Sequence, residues 1–335
     1  MIEFSDIYRE VKNNLQPPPD KKYRIYDFTD DEYYGDFETF FQFVILSKKD
    51  MFKGLIDEPF YFYFMDLEKN DAYASRQLNQ CNVIGVSKGL FRNLIYSCKA
   101  HVPRLLELSI LRGIDISVFR DARIDQFMFI VARYFLHYHE LAHIIQFTGV
   151  NQFMHESRAY PIAGPFIMLE HVKERDADIC GANFSARHIM DHWKRLPLAL
   201  QTKDSLETLV SFGIVGIYQL FDLLSDGLKR NLYFFETSHP HTIIRISLII
   251  RLIVQRTGHD SRMKIDLMKM IQNVLNILRN LNMDESADRF LYTMARNPLS
   301  IDIYTQTLER EHKNYPWLAG PQLTSRTRFR SKKRK

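Results

Sequence analysis

An apolar run between Phe127 and Ile145 shows no strict alternation of polar and apolar positions. The run is too long for a strand and contains no proline, so the pattern predicts a buried helix. Asp121 or Asp125 can cap its start, and Gly149 can adopt the left-handed conformation that ends many helices. The predicted helix carries the segment YHELAH in its middle, where polar residues interrupt the apolar pattern.

Other stretches predict further helices and a few strands. The runs EPFYFYFMDL and CNVIGVSKGL are typical of short strands. Helical patterns cover residues 165–190, 206–224, about 240–255 and 262–281, and the apolar stripe of the last one is expected to face the core. We predict an α+β fold that is mostly helical, with a small twisted sheet packed on two central helices. The expected divisions are an acidic and aromatic N-terminal element (1–50), a main domain (51–260), a helical extension (261–318) and a basic tail (319–335).

Composition indicates a globular protein. The chain has 335 residues, of which 46% are hydrophobic, so it can bury a substantial core. Its three cysteines show no CxxC spacing, which favours a reducing compartment over a disulfide scaffold. The charged N-terminus predicts no signal peptide. The apolar window Leu209–Phe221 is shorter than a membrane span and predicts a buried core helix. We therefore expect a cytoplasmic protein without an integral membrane span.

The net charge of +5 comes from one end of the chain. The last ten residues, RTRFRSKKRK, carry seven Arg or Lys, which leaves 38 basic residues against 40 acidic ones. A neutral body argues against a nucleic-acid binder. The tail is expected to be unstructured, because like charges repel and cannot form a core. It is either a solubilising end or a weak contact to an anionic surface.

The helix around YHELAH brings candidate metal ligands together. His139 and His143 are four residues apart, so their rings share one helix face. With Glu140 between them they form HExxH, in which two imidazoles bind zinc and the glutamate acts as base on the attacking water. The alternative is a buried polar cluster without a metal. His137 is two residues before His139, points elsewhere, and is expected to be a core or rim histidine rather than a ligand.

A third ligand is expected from the segment ERDADICGA. Glu174 and Asp178 are four apart and share a face of the next predicted helix. One can bind the metal while the other accepts the N–H of a ligand histidine, and E-x-x-A-D favours Glu174 as the ligand. Glu170 and Asp176 are further acids on this helix, and a solvated charged face is the alternative. The small Ala177 and Gly181 suit close packing against the HExxH helix.

Four segments in order resemble the gluzincin peptidases related to HtpX and the CAAX prenyl protease. They are DAYASRQLNQCNVIGVSKGLF (71–91), HELAH, ERDAD and SHPHTIIRI (238–246), so the resemblance covers roughly residues 70–250. It departs from the family at Asp71, where Asn is usual, and in lacking long membrane spans.

The resemblance implies roles for several residues. The edge strand at Ala72, Tyr73 and Ala74 would pair with the substrate backbone. His239 would stabilise the oxyanion; alternatively it is a surface histidine that caps the helix opened by Pro240. Arg245 is expected to pair with a carboxylate near the site, such as Asp178.

In size and motif type the chain is also similar to the family of Lit, a phage-exclusion peptidase that cuts elongation factor Tu. That similarity implies a soluble zinc endopeptidase acting on a protein, with a translation factor as one candidate substrate and phage defence as the setting. The alternative function is a catalytically silent, zinc-containing regulatory or binding protein. An intact HExxH argues against this alternative, because structural zinc sites usually close the fourth position with a side chain.

Overall fold

A computed structural model gives the arrangement of most of the chain. It describes residues 11, 24–51, 56, 59–76, 81–100, 103, 119, 124–149, 166–224, 231–235, 239–316 and 318–320. The segment RTRFRSKKRK lies outside the described residues, so the expectations for the basic tail stay predictions.

Helices dominate the described part of the chain, and one small sheet accompanies them. The elements in chain order are α1 (Tyr34–Met51), β1 (Phe60–Met65), β2 (Ala72–Arg76), β3 (Asn82–Ser87), α2 (Lys88–Ala100), α3 (Ile124–Gly149), α4 (Met168–Arg195), α5 (Lys203–Leu224), α6 (Thr242–Ser261), α7 (Leu267–Asn280), α8 (Asp284–Arg296) and α9 (Pro298–His312). The predicted mostly helical α+β architecture is thereby confirmed at this level.

Residue contacts divide the chain into two compact units. The first comprises Met1–Asn93, Glu140–Pro161 and Pro316–Lys335, and the second comprises Leu94–His139 and Ile162–Tyr315. One boundary falls inside α2 and another inside α3, each of which is a continuous helix.

The sheet of the first unit has the strand order β1-β3-β2. Strand β1 runs parallel to β3, and β2 runs antiparallel to it. Strand β1 is buried along its whole length, which explains its continuous apolar sequence FYFYFM. Because side chains alternate along a strand, Phe62 and Phe64 share one face. Phe64 packs against Phe37 of α1, with ring centroids 4.6 Å apart, and against Phe91 of α2, at 5.1 Å.

The second unit is built around helices that approach one another closely. A Cβ atom on Gly181 of α4 would lie 2.8 Å from the Phe135 ring of α3. A Cβ atom on Gly216 of α5 would lie 2.4 Å from the carbonyl oxygen of Met128, also on α3. No side chain fits at either crossing, so α4 and α5 contact α3 through glycine. The close packing expected at Gly181 is confirmed.

The predicted helices agree with the structure, with adjusted ends. The stripe on α7 faces the core as expected, through Met270, Val274, Leu275, Ile277 and Leu278. The window Leu209–Phe221 is indeed mostly buried, but its helix is longer than the window. Helix α5 has 22 residues and, among the described helices, is the one long and apolar enough to cross a membrane, with 83% of its most apolar stretch buried inside the protein. A core helix has the same properties.

Candidate metal centre

Two histidines of α3 and one glutamate of α4 lie together. The ligand atoms of His139, His143 and Glu174 all lie within 4.8 Å of one another. The three residues are buried, at 7%, 1% and 1% exposure. Since α3 is continuous, His143 stands one turn beyond His139 on the same face. Two imidazole nitrogens and one carboxylate are a donor set found in catalytic zinc sites, so the group is compatible with a metal ion.

The orientation of the His139 ring follows from its two carboxylate neighbours. Its Nε2 lies 3.6 Å from Glu174 Oε2, and its Nδ1 lies 3.1 Å from Asp178 Oδ1. Asp178 is fully buried and its carboxylate lies beside Nδ1, which leaves Nε2 facing the Glu174 carboxylate. Glu174 and Asp178, which the spacing places on one helix face, thus lie on opposite sides of the His139 ring.

His143 has a polar neighbour that sequence reasoning missed. Its Nδ1 lies 2.9 Å from Oε1 of Gln146, three residues further along α3. An amide oxygen only accepts hydrogen bonds, so Nδ1 carries the proton and Nε2 remains for a metal. Both histidines therefore have an acceptor at Nδ1. The sequence does contain a signal for this contact, because a glutamine three residues after a candidate ligand histidine stands out in an apolar run.

Arg245 of α6 joins the two carboxylates of α4. Its Nε lies 2.9 Å from Asp178 Oδ2 and its Nη2 lies 2.8 Å from Oδ1. The same Nη2 lies 3.2 Å from Glu174 Oε2. Burial alone would raise the pKa of the Asp178 carboxyl, but the Arg245 charge and hydrogen bonds outweigh burial and hold this pKa below its usual value. The expected pairing of Arg245 with Asp178 is confirmed.

Two further acids of α4, Glu170 and Asp176, contact other side chains. Glu170 Oε1 lies 2.8 Å from Lys173 Nζ, and Asp176 Oδ1 lies 2.9 Å from Nε2 of His312 on α9. These contacts single out Glu174 and Asp178 as the acids that face His139.

His239 and His241 have different places at the start of α6. His239 Nε2 lies 3.8 Å from Glu174 Oε1, and its side chain is 19% exposed. The N-cap of α6 is His241, whose side chain accepts a hydrogen bond from the Ile243 amide at 3.1 Å. The alternative in which His239 caps this helix is therefore wrong, because Thr242 rather than Pro240 is the first helical residue.

Glu140 and His137 occupy other parts of α3. Glu140 follows His139 directly and is 8% exposed. His137 is a buried core histidine, as predicted, and lies outside the metal-compatible group. Burial lowers the pKa of His137 to about 3, so this ring is neutral at ordinary pH.

The predicted edge strand exists in the first unit. Ala72, Tyr73 and Ala74 form the start of β2, which ends the strand order on one side of the described sheet. Their side chains are buried, at 8%, 2% and 3% exposure, so any substrate pairing would use the backbone.

No protein-family model matches the chain, and no curated protein or solved structure is detectably similar to it. The functional interpretation therefore depends on the motif and on the geometry of the side chains.

Proposed function

We propose that the chain is a zinc-dependent endopeptidase of the gluzincin type that cleaves a protein substrate. The buried group formed by His139, His143 and Glu174 carries this proposal. It combines the HExxH order with a carboxylate from a second helix, and both imidazoles have an acceptor at Nδ1. A purely structural polar cluster does not require this shared orientation.

The three ligand residues would hold zinc, and the ion supplies the Lewis acidity that activates water and polarises a carbonyl. Glu140 acts as general base, taking a proton from the attacking water and passing it to the leaving amine. Its place next to His139 on α3 puts it beside the ligand pair.

Two further residues complete the proposed site. His239, near Glu174, donates to the carbonyl oxygen as negative charge develops on it. Arg245 is a positioning residue, because it contacts both carboxylates of α4 and fixes their direction.

A protein substrate fits an enzyme of this type, and the resemblance to Lit in size and motif type, which rests on the sequence alone, makes a translation factor the first candidate. The experiment compares natural protein with Glu140→Gln, both expressed in a bacterial host, by mapping new protein N-termini across the proteome. Glu285→Gln is the matched control, since Glu285 is exposed and pairs only across the surface of α8 with Arg289 at 3.5 Å.

We expect new N-termini with the natural chain and with Glu285→Gln, and none with Glu140→Gln. Equal sets of N-termini from Glu140→Gln and natural protein would contradict peptidase activity. If none of the three gives new N-termini while zinc is bound, the alternative of a silent zinc-containing regulatory protein is favoured.

A further inference from the structure

The two histidines of the metal centre have acceptors of different charge. His139 faces the Asp178 carboxylate at 3.1 Å, whereas His143 faces the Gln146 amide at 2.9 Å. A carboxylate that accepts the distal N–H of a ligand histidine makes the ring a stronger donor to metal. A neutral amide orients the ring but adds no negative charge.

Gln146 lies where the surrounding sequence is apolar. Its neighbours Ile144, Ile145 and Phe147 are buried, and Gln146 itself is 1% exposed. Burying an amide among apolar side chains is costly unless the amide is hydrogen-bonded. The i,i+3 spacing on α3 places its oxygen within reach of His143, so the contact with Nδ1 gives a reason for a polar residue at this point.

We propose that Gln146 is a positioning residue for the metal ligand His143. Its oxygen holds Nδ1–H, which fixes the tautomer and leaves Nε2 as the ligand atom. Because the amide is uncharged, metal affinity stays below what a second carboxylate would give. This inference deepens the proposed function and depends on it.

The test measures zinc affinity by competition with a chromophoric chelator, using the full chain and Zn²⁺ alone as the probe. Gln146→Met removes the acceptor and keeps side-chain length, and Gln146→Glu supplies a charged acceptor. The matched control is Gln219→Met. Gln219 is also 1% exposed, and its Oε1 accepts a hydrogen bond from the Cys98 thiol at 3.3 Å.

We expect Gln146→Met to weaken zinc binding about 10- to 100-fold, the usual effect of removing such a partner. Gln146→Glu should bind zinc more tightly than the natural chain, and Gln219→Met should match the natural chain. A general loss of stability would weaken zinc binding in both Gln146 variants. A positioning role instead predicts that binding depends on the charge of the acceptor that faces His143.

The inference is overturned if Gln146→Met binds zinc like the natural chain, or if Gln146→Met and Gln219→Met weaken binding equally. It is also overturned if Gln146→Glu binds zinc no more tightly than the natural chain. If Gln146→Met does not fold, weaker binding by Gln146→Glu than by the natural chain overturns it. Failure of the natural chain to bind zinc overturns the proposed function as well, so the two failures are distinguishable.

Discussion

The guanidinium of Arg245 donates two hydrogen bonds to the buried carboxylate of Asp178, at 2.9 and 2.8 Å. Asp178 in turn lies 3.1 Å from His139 Nδ1. A cation on α6, an anion on α4 and an imidazole on α3 thus form one continuous polar chain. The orientation of His139, a candidate metal ligand, therefore depends on how these three helices pack.

Removing the cation should be costly. Arg245→Met leaves the Asp178 charge buried without its main partner, so we expect a loss of about 3–5 kcal/mol in the free energy of unfolding. Arg279→Met is the control: the Nε and Nη2 of Arg279 both donate to Asp288 Oδ1, at 3.1 and 2.7 Å, on the surface. Exposed pairs contribute about 0–1 kcal/mol. Urea denaturation measures both, and equal losses would contradict the account.

The two acids of α4 should behave differently when removed. Glu174→Ala removes a ligand and should abolish stable zinc binding. Asp178→Ala removes the neighbour of His139 and of Arg245 but no proposed ligand, so zinc affinity should fall about 10- to 100-fold without being lost. Chelator competition on both variants is the measurement. If Asp178→Ala loses zinc completely while Glu174→Ala keeps it, the two roles are reversed.

The neighbouring histidines offer a second matched pair. His239→Ala should lower kcat about 10²- to 10³-fold with zinc content unchanged, because it removes the proposed donor to the oxyanion. His241→Ala removes the cap of α6 and should cost about 1 kcal/mol of stability while kcat is retained. Steady-state kinetics and thermal unfolding distinguish them, and a normal kcat in His239→Ala would remove this residue from the site.

The crossing of α3 and α4 should not tolerate a side chain. Gly181→Ala would place a methyl group 2.8 Å from the Phe135 ring, and we expect a loss of about 1–3 kcal/mol in the free energy of unfolding. Gly35→Ala is the control, because a Cβ atom on Gly35 meets nothing within 4 Å. This variant should be as stable as the natural chain or slightly more so. A neutral Gly181→Ala would mean that the two helices are less closely packed than described.

His188 on α4 should make the fold sensitive to acid. Burial, together with the nearby His192 and Arg133, lowers the pKa of His188 from 6.5 to about 3. The unfolded chain therefore takes up a proton below pH 6.5 that the folded chain does not. Stability contributed by neutral His188 is complete above this pH and falls by up to about 1.4 kcal/mol per pH unit below it.

The measurement compares urea unfolding at pH 7 and pH 5. His188→Phe should lose less stability on acidification than the natural chain, because it removes one group that titrates only when unfolded. His259→Gln is the control, since the His259 side chain is 82% exposed. An unchanged acid response in His188→Phe would show that His188 is protonated in the folded chain.

Local spacing made much of the site predictable from sequence. The i,i+4 pairs His139/His143 and Glu174/Asp178 fix which side chains share a helix face before any tertiary structure is known. Arg245, the partner of Asp178, lies 67 residues further along the chain. Helical spacing could not predict this pairing, which was expected only because the segment SHPHTIIRI resembles one in gluzincin peptidases. Histidines two residues apart, at 239 and 241, could not be assigned from sequence, since the exact first turn of α6 decides which one caps it.

The contacts between α4 and α9 could not be predicted from the sequence. His171 hydrogen-bonds to Tyr304, and Asp176 contacts His312 at 2.9 Å. Helix α9 therefore contacts α4 both before and after Glu174 in the sequence. The two residues of each pair are 133 and 136 positions apart in the sequence, so no periodic pattern predicts their contact. The helix predicted over 206–224 was found as α5, which begins three residues earlier, at Lys203.

The most direct test of the central claim is the zinc content of purified protein by elemental analysis. The account predicts about one zinc per chain in the natural protein and in Glu140→Gln, which keeps every ligand. It predicts a strong loss of zinc in His143→Ala. Full zinc in His143→Ala, or none in the natural protein, would contradict the claim that His139, His143 and Glu174 bind the metal.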